Sequence, residues 1–453
     1  MRSDRIGDPG ADAPSPPDAP TVAPAVGPDP GPEEPAAADA ARDDRPPLAP
    51  AAPGDATTDA GAEAATAAAD VSVPPDVHHD LAPEPAGAGE PAPPILPPVT
   101  DVEDLDWQAV RAAVDPGAVR ARMRRTVERM EALLDRDGGP GLLFDADRER
   151  ADDRAVRIRA LDAAVPLWFV GDLHGDLLAL EAALALARPA TATGAAARLV
   201  FLGDLFDDGG HGLEVLLRVF ELLCDDPGSV CVLAGNHDEA LRYDGARFVA
   251  TVSPSDFADF LNANLAHEWL VRAGKLAVRL FADAPRALFF PDGLLAAHGG
   301  VPLADLHAEL LASGDWNDPR CLSDFVWTRA HPKARRKMPN RASRGSQFGH
   351  EDFAAFCEVA AALGRPVTHM VRGHDHVDDR WAVPPAYARH PLLTTNALSR
   401  RLSRESFGPY VRVPTVARWM PGALPQVHRL HVPEALVRDC YPEAAEDDDE
   451  AGS

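Results

Sequence analysis

Leu167-Trp168-Phe169-Val170-Gly171-Asp172-Leu173-His174-Gly175-Asp176 sets four apolar residues against a loop of glycines, carboxylates and one imidazole. The apolar run is short enough for a buried strand, and glycine lets the chain turn sharply where it ends. The same unit recurs four times. Leu199-Val200-Phe201-Leu202 leads into Gly203-Asp204-Leu205-Phe206-Asp207-Asp208-Gly209, and Val230-Cys231-Val232-Leu233 into Gly235-Asn236-His237-Asp238. Leu294-Leu295-Ala296-Ala297 precedes His298-Gly299-Gly300, and Val367-Thr368-His369-Met370-Val371 precedes Gly373-His374-Asp375-His376. Helical patterns follow at 177–187, 213–223, 303–311 and 353–363. This alternation predicts an α/β fold, a sheet covered by helices on both faces. The polar loops then fall at the C-terminal strand ends, where such sheets place their active sites.

Asp, Asn and His are the ligand types that suit Mn²⁺, Fe or Zn²⁺. Alone, an Asp-x-His or a Gly-Asn-His-Asp is a turn with a capping residue. Five such loops in a fixed order are not explained by turn chemistry. Nor does a core tolerate so many converging ionisable groups without a metal or pairing partners.

Composition bounds the rest. Residues 1–100 hold 23 of the 45 prolines, no Phe, Trp or Tyr, and 18 acidic against 4 basic residues. Such a segment lacks the large apolar side chains that offset the entropy of ordering, which predicts a disordered Pro/Ala/Asp-rich arm. Residues 441–453, with Glu446-Asp447-Asp448-Asp449-Glu450, read as an acidic tail. Between them, 101–440 read as one domain with a motif core at 165–400 and a helical insertion at 244–275 that caps the site. The first helix is expected at 118–135, packed on the outside of the domain. Leu276–Leu280 and Ala287–Phe290 look like a hairpin, and 391–396, 410–418 and 425–431 like strands of a second sheet. No run of 18 apolar residues exists, which excludes a membrane-spanning helix. The N-terminus lacks the apolar core of a secretory signal. Five scattered cysteines fit a reducing cytoplasm, and a net charge of −27 argues against a general nucleic-acid partner.

The order and spacing of the five loops resemble the calcineurin-like metallophosphoesterase superfamily. His298-Gly299-Gly300 and the Gly-Asp-x-His-Gly form of the first loop resemble the serine/threonine phosphoprotein phosphatases, the nearest type, and the bacterial diadenosine tetraphosphate hydrolases. The resemblance implies a β-sandwich of mixed sheets flanked by helices, in four layers α/β/β/α. It implies two divalent ions, Mn²⁺ first, with Fe and Zn²⁺ as alternatives. Asp172 and His174 would bind the first ion, Asp204 would bridge both, and Asn236, His298 and His374 would complete the second. The Gly-His-Asp-His form of the last loop adds His376 to the first ion. His237 would be the general acid, oriented by Asp207. Two such ions sharing a carboxylate and a bridging hydroxide of lowered pKa suit in-line attack on phosphorus, and the leaving alkoxide needs a proton from a nearby histidine.

One departure matters. Protein phosphatases typically follow the bridging aspartate with Asp-Arg-Gly, whose arginine grips phosphate; here the residues are Asp207-Asp208-Gly209. A carboxylate repels phosphate, so Asp208 is expected to point away or to tune the site. Arg344 sits where the resemblance places a second phosphate-binding arginine, and Arg242 and Arg247 are further candidates. Arg344 belongs to a basic loop with Lys333, Arg335, Arg336, Lys337 and Arg341, suited to an acidic or phosphorylated substrate. His211 reads as a helix-start residue, Trp316 and Trp327 as core, and His78-His79 and the PxxP at 91–94 as products of composition. The reading is a phosphomonoester hydrolase acting on a phosphorylated substrate, plausibly phosphoserine or phosphothreonine in proteins. Its alternatives are a nucleotide or diadenosine-polyphosphate hydrolase and a catalytically inactive binding protein.

Overall fold

Strands with apolar residues on both faces need a packed layer on each side. The computed structural model, which describes residues 96–187, 197–340 and 344–442, supplies them. One six-stranded sheet runs Val99–Val102, Gln426–Leu430, Thr415–Trp419, Leu167–Val170, Arg198–Phe201, Val230–Val232. Its last three strands are parallel, and Thr415–Trp419 joins them antiparallel. The other runs Trp381–Ala382, Leu392–Thr395, His369–Arg372, Leu294–Ala297, Ala287–Phe289, Ala155–Arg157 and is likewise mixed.

Period-two alternation divides the strand residues between layers. Leu167 and Phe169 join Val200, Leu294, Ala296 and Val371 in a cluster between the sheets. Trp168 and Val170 join Leu180, Leu216 and Val127 on the outer face of the first sheet. Phe289, Leu295 and Met370 meet Phe325, Phe353 and Phe356 on the outer face of the second. The result is the expected four-layer α/β/β/α sandwich.

Several boundaries differ from expectation. The first sheet begins at Val99, and Val427 N–H donates to Pro98 O at 2.8 Å, so ordered pairing starts inside the arm expected to end at residue 100. Its prolines had masked two strand-forming residues. The rest of the arm, with His78, His79 and the PxxP, lies outside the described residues, as do 443–453. Tyr441, placed in the tail, is 1% exposed and donates its hydroxyl to Asp176 Oδ1 at 2.9 Å. The helix expected at 118–135 is two, Pro116–Ala121 and Met123–Leu134, divided at Arg122. Arg122 instead donates to both carboxylate oxygens of Glu221 at 2.7 and 3.1 Å.

Leu276–Leu280 is helix, not hairpin. It belongs to Glu268–Asp283, where Leu270, Ala273, Leu276, Ala277, Leu280 and Phe281 bury one face at helical spacing. The insertion's last helix therefore runs past residue 275. Leu392–Thr395 enters the second sheet as expected. Thr415–Trp419 and Gln426–Leu430 instead complete the first. No described helix is long and apolar enough to cross a membrane.

Met130 and Val127 are fully buried where Met123–Leu134 packs on Gly212–Asp225 and Glu268–Asp283. Met130→Ala is expected to lower unfolding free energy by about 2–4 kcal/mol in denaturant titration; an unchanged value would mean that this helix is not docked. His428 packs against Trp168 with ring centroids 5.1 Å apart, and neither of its ring nitrogens finds a hydrogen-bond partner among the described residues. Burial, aided by Arg418, pushes its pKa down to about 4. A lowered folded pKa makes the ring neutral in the fold, so stability falls as pH drops from about 6.5 toward 4. His428→Gln should lose less Tm than the wild type over that interval, and an equal loss would contradict a neutral ring.

Candidate metal centre

The five loops meet where the sheets approach each other, and a parallel bridge between Asp172 and Asn396 joins the ends of strands Leu167–Val170 and Leu392–Thr395. Three loops come from the first sheet and carry Asp172 and His174, then Asp204 and Asp207, then Asn236 and His237. Two come from the second and carry His298, then His374 and His376. All but His376 are buried. Five of the seven described non-glycine residues with positive φ are His174, Asp204, Asp207, Asp208 and His374. Backbone strain of this kind persists where the surroundings over-determine it. Gly373 has no room for a Cβ, because Asp172 Oδ1 lies against it.

The donors sort into two groups. Ligand atoms of Asp172, His174 and His376 lie within 4.8 Å of one another, and so do those of Asp204, His298 and His374. Asp204 stands between the groups: its Oδ2 is 3.6 Å from His174 Nε2 and 3.3 Å from His298 Nε2. Its backbone and the next are fixed from behind by Asp238, which accepts from Asp204 N at 2.7 Å, Gly235 N at 2.9 Å and Leu205 N at 3.2 Å. Burial and the neighbouring Asp204 charge push Asp238 up to about 7.

Tautomers decide whether these residues suit cations. His174 Nδ1 faces Phe206 O at 3.1 Å, and His298 Nδ1 faces Leu202 O at 3.0 Å. A carbonyl accepts, so both Nδ1 atoms donate, and in the neutral ring Nε2 carries a lone pair. Around His298 Nε2 stand Asn236 Oδ1 at 3.1 Å, His374 Nδ1 at 3.1 Å and Asp204 Oδ2. Two of the three, Asn236 Oδ1 and Asp204 Oδ2, are oxygen acceptors and call for positive charge. Burial, with Arg404 nearby, holds His174 well below the usual imidazole range, and burial with Arg329 does the same for His374. Burial opposes charge on His298 too, yet Asp204 outweighs it and raises that ring's affinity for a proton, the charge a divalent ion replaces. Backbone carbonyls behind a histidine are also how metal-ligating rings are usually oriented. The donor set fits a pair of divalent ions.

His237 is 2% exposed, and its Nδ1 lies 2.8 Å from Asp207 Oδ2. Burial opposes its charge, but Asp204 and Asp207 prevail and raise its pKa. The insertion holds this pair. Phe257 N donates to Asp207 Oδ1 at 2.9 Å, while Asp256 accepts from Asp208 N and Gly209 N at 2.9 and 3.0 Å. The insertion thus clamps the second loop.

Asp208 does not point away. It lies 3.3 Å from His174 Nδ1, forms a third close group with His174 and His237, and its Oδ2 is 2.8 Å from Arg404 Nη2. Arg404 escaped the sequence reading. Its one signal was an arginine-rich segment after a strand end, Arg400-Arg401-Leu402-Ser403-Arg404. Arg344 is placed elsewhere: it pairs with Glu239 and lies 4.2 Å over the Trp327 ring. Other basic-loop charges are paired, Arg335 with Glu351 and Lys337 with Asp305. Arg247 pairs with Asp244, and Arg242 is exposed in a short hairpin. His211 stands at the N-cap position of helix Gly212–Asp225 without a side-chain cap bond, and Trp316 and Trp327 are core.

Residues 165–378 match the profile of the calcineurin-like phosphoesterases. Over that span the chain is similar to this family. A Caenorhabditis elegans serine/threonine-protein phosphatase 6 catalytic subunit is 22% identical over 238 residues, covering 50% of this chain and 64% of its own length. Among solved structures, a Saccharomyces cerevisiae protein serine/threonine phosphatase with similarity to human phosphatase PP5 aligns with a TM-score of 0.44 at 16% identity, over 68% of this chain and 84% of that one. A metallophosphoesterase from Sphaerobacter thermophilus aligns at 0.33 and 18% identity, over 62% and 94%. The matched span thus covers every loop of the candidate centre.

If this centre takes divalent ions, Mn²⁺ should raise the Tm of EDTA-stripped protein by mass action. Asp204→Asn, which removes charge from both groups at once, should abolish most of that rise. An undiminished rise in the variant would place the ions elsewhere.

Proposed function

We propose that this chain is a metal-dependent phosphatase that hydrolyses phosphomonoesters, with phosphoserine and phosphothreonine in proteins as the substrate class. In this reading Asp172, His174 and His376 hold one ion, Asn236, His298 and His374 the other, and Asp204 is shared. Divalent ions there offset charge on phosphoryl oxygens and make water a better nucleophile near neutral pH. The observation that carries the proposal is the His237–Asp207 pair.

His237 Nδ1 donates to Asp207, which leaves Nε2 as the atom that can present a proton to the cleft. Asp207 fixes that orientation and favours the charged ring. The proton goes to the leaving alkoxide, whose expulsion it assists. Asp207 is itself held by Phe257, so the donor keeps its aim before substrate arrives. Arg344, tethered by Glu239 two residues beyond His237, is proposed as a contact for the substrate body at the rim. The similarity to a protein phosphatase sequence supports the phosphoprotein reading. The domain is proposed to span 99–441. Five unpaired cysteines support a reducing compartment such as the cytoplasm, and burial pushes the thiols of Cys231, Cys321 and Cys357 up to about 12.

Mn²⁺-loaded protein is expected to release phosphate from phosphoserine and phosphothreonine peptides. His237→Asn should lower kcat on an alkyl phosphate by roughly 10²- to 10⁴-fold, and less on an aryl phosphate, whose leaving group needs less help. Turnover of dinucleotides with none of phosphopeptides would overturn the substrate class. Full alkyl phosphatase activity in His237→Asn would assign the proton to another residue.

A further inference from the structure

A phosphomonoester dianion approaching this centre meets the carboxylates of Asp204, Asp207 and Asp208 on one loop. Ions held by the cluster offset part of that charge, but phosphoryl oxygens turned away from the ions need donors of their own. Arg404 is placed to provide them. Its Nη1 is 3.5 Å from His237 Nε2, the atom from which the proton departs in the reading above. Its Nη2 is 2.8 Å from Asp208 Oδ2, 3.1 Å from His174 Nε2 and 3.4 Å from His376 Nε2. The Asp208 side chain is fully buried, whereas that of Arg404 is one-third exposed. Arg404 therefore joins a buried carboxylate to the open cleft.

The segment that carries it is fixed on both sides. Ser399 N and Oγ donate to Asp176 Oδ2, both at 2.7 Å. Arg400 Nη2 donates to His174 O and to Asp208 O, both at 3.1 Å. Glu405 accepts from Arg380 Nη1 and Nη2 at 2.6 and 2.7 Å and lies 2.8 Å from His376 Nδ1. Arg404 thus projects from a short stretch bolted to the first, second and fifth loops.

We propose that Arg404 binds the phosphoryl group of the substrate and that Asp208 is the positioning residue that presents it. This rests on the phosphoesterase reading of the centre. A guanidinium has five donors in a planar fork, so one edge can face Asp208 while another grips two phosphate oxygens. A divalent ion held by His174 and His376 would disfavour the like-charged guanidinium beside them, and Asp208 would be the partner it keeps. Asp208 therefore does not repel phosphate as a bare carboxylate does. It neutralises and aims the cation that receives it.

The test is calorimetric titration of inorganic phosphate into full-length, Mn²⁺-loaded protein, with metal content measured on the same samples and KM and kcat taken on a phosphopeptide. Arg404→Ala is expected to weaken phosphate binding roughly 10- to 100-fold and to raise KM comparably at unchanged metal content, with partial recovery in Arg404→Lys. Asp208→Asn should weaken phosphate binding as well. Arg124→Ala, which removes an exposed charge paired with Glu128, should bind phosphate like the wild type. Arg404→Gln takes the place of the alanine variant if that one fails to fold. Phosphate affinity within twofold of wild type in a folded Arg404 variant would overturn the proposal. So would loss of metal along with phosphate, or an equal loss in Arg124→Ala. A metal-loaded wild type that neither binds phosphate nor hydrolyses any monoester would instead overturn the phosphoesterase reading.

Discussion

Everything in this molecule is arranged around one buried carboxylate, Asp204, placed between two imidazoles that come from different sheets. A charge so enclosed is costly unless it is paired and hydrogen-bonded. Its Oδ1 accepts from His237 N at 2.9 Å, its Oδ2 faces His174 and His298, and its own N–H is taken by Asp238. Nearby histidine charges more than offset burial and hold its pKa well below the ordinary carboxylate range. The two sheets cannot shift relative to each other without separating Asp204 from one of its imidazoles. The apolar layer between the sheets supplies the adhesion, and this residue supplies the register.

Much of this was legible in the chain because two strong signals coincide. A run such as Leu167–Val170 has no polar residue, and the glycine and aspartate that follow it break the strand abruptly. Each strand end therefore announces itself, and metal-type side chains sit on it. Strand neighbours were less legible. Thr415–Trp419 and Gln426–Leu430 have strand character, but periodicity says which face a residue takes, not which strand lies beside it. Leu276–Leu280 misled for a different reason: five residues, mostly apolar, fit either period, and the helix shows only when the pattern is followed from Leu270.

Arg404 was the least legible part of the site. It lies in an irregular segment, positioned by long-range pairs such as Arg380–Glu405 and Ser399–Asp176 that no local pattern encodes. Asp208 was visible in the sequence, but only as a charge of the wrong sign. Its meaning depends on a partner 196 positions further along the chain. The insertion had a comparable fate: it was visible as helix, while its use in holding Asp207, Asp208 and Gly209 depends on where Asp256 and Phe257 land.

The hydrogen bond from Tyr441 to Asp176 has a bearing on how the protein is made. Asp176 ends the first loop, and its carboxylate is completed by Ser399 and by Tyr441, residues separated from it by most of the domain. Contacts of such sequence separation form late, because loop closure precedes any gain from them. On a ribosome the first loop emerges long before its partners, and a cleft lined with unpaired carboxylates must wait in an unfinished sheet. The carboxylate of Asp176 therefore gains its last donor only after Tyr441, at the far end of the described fold, has been made and docked.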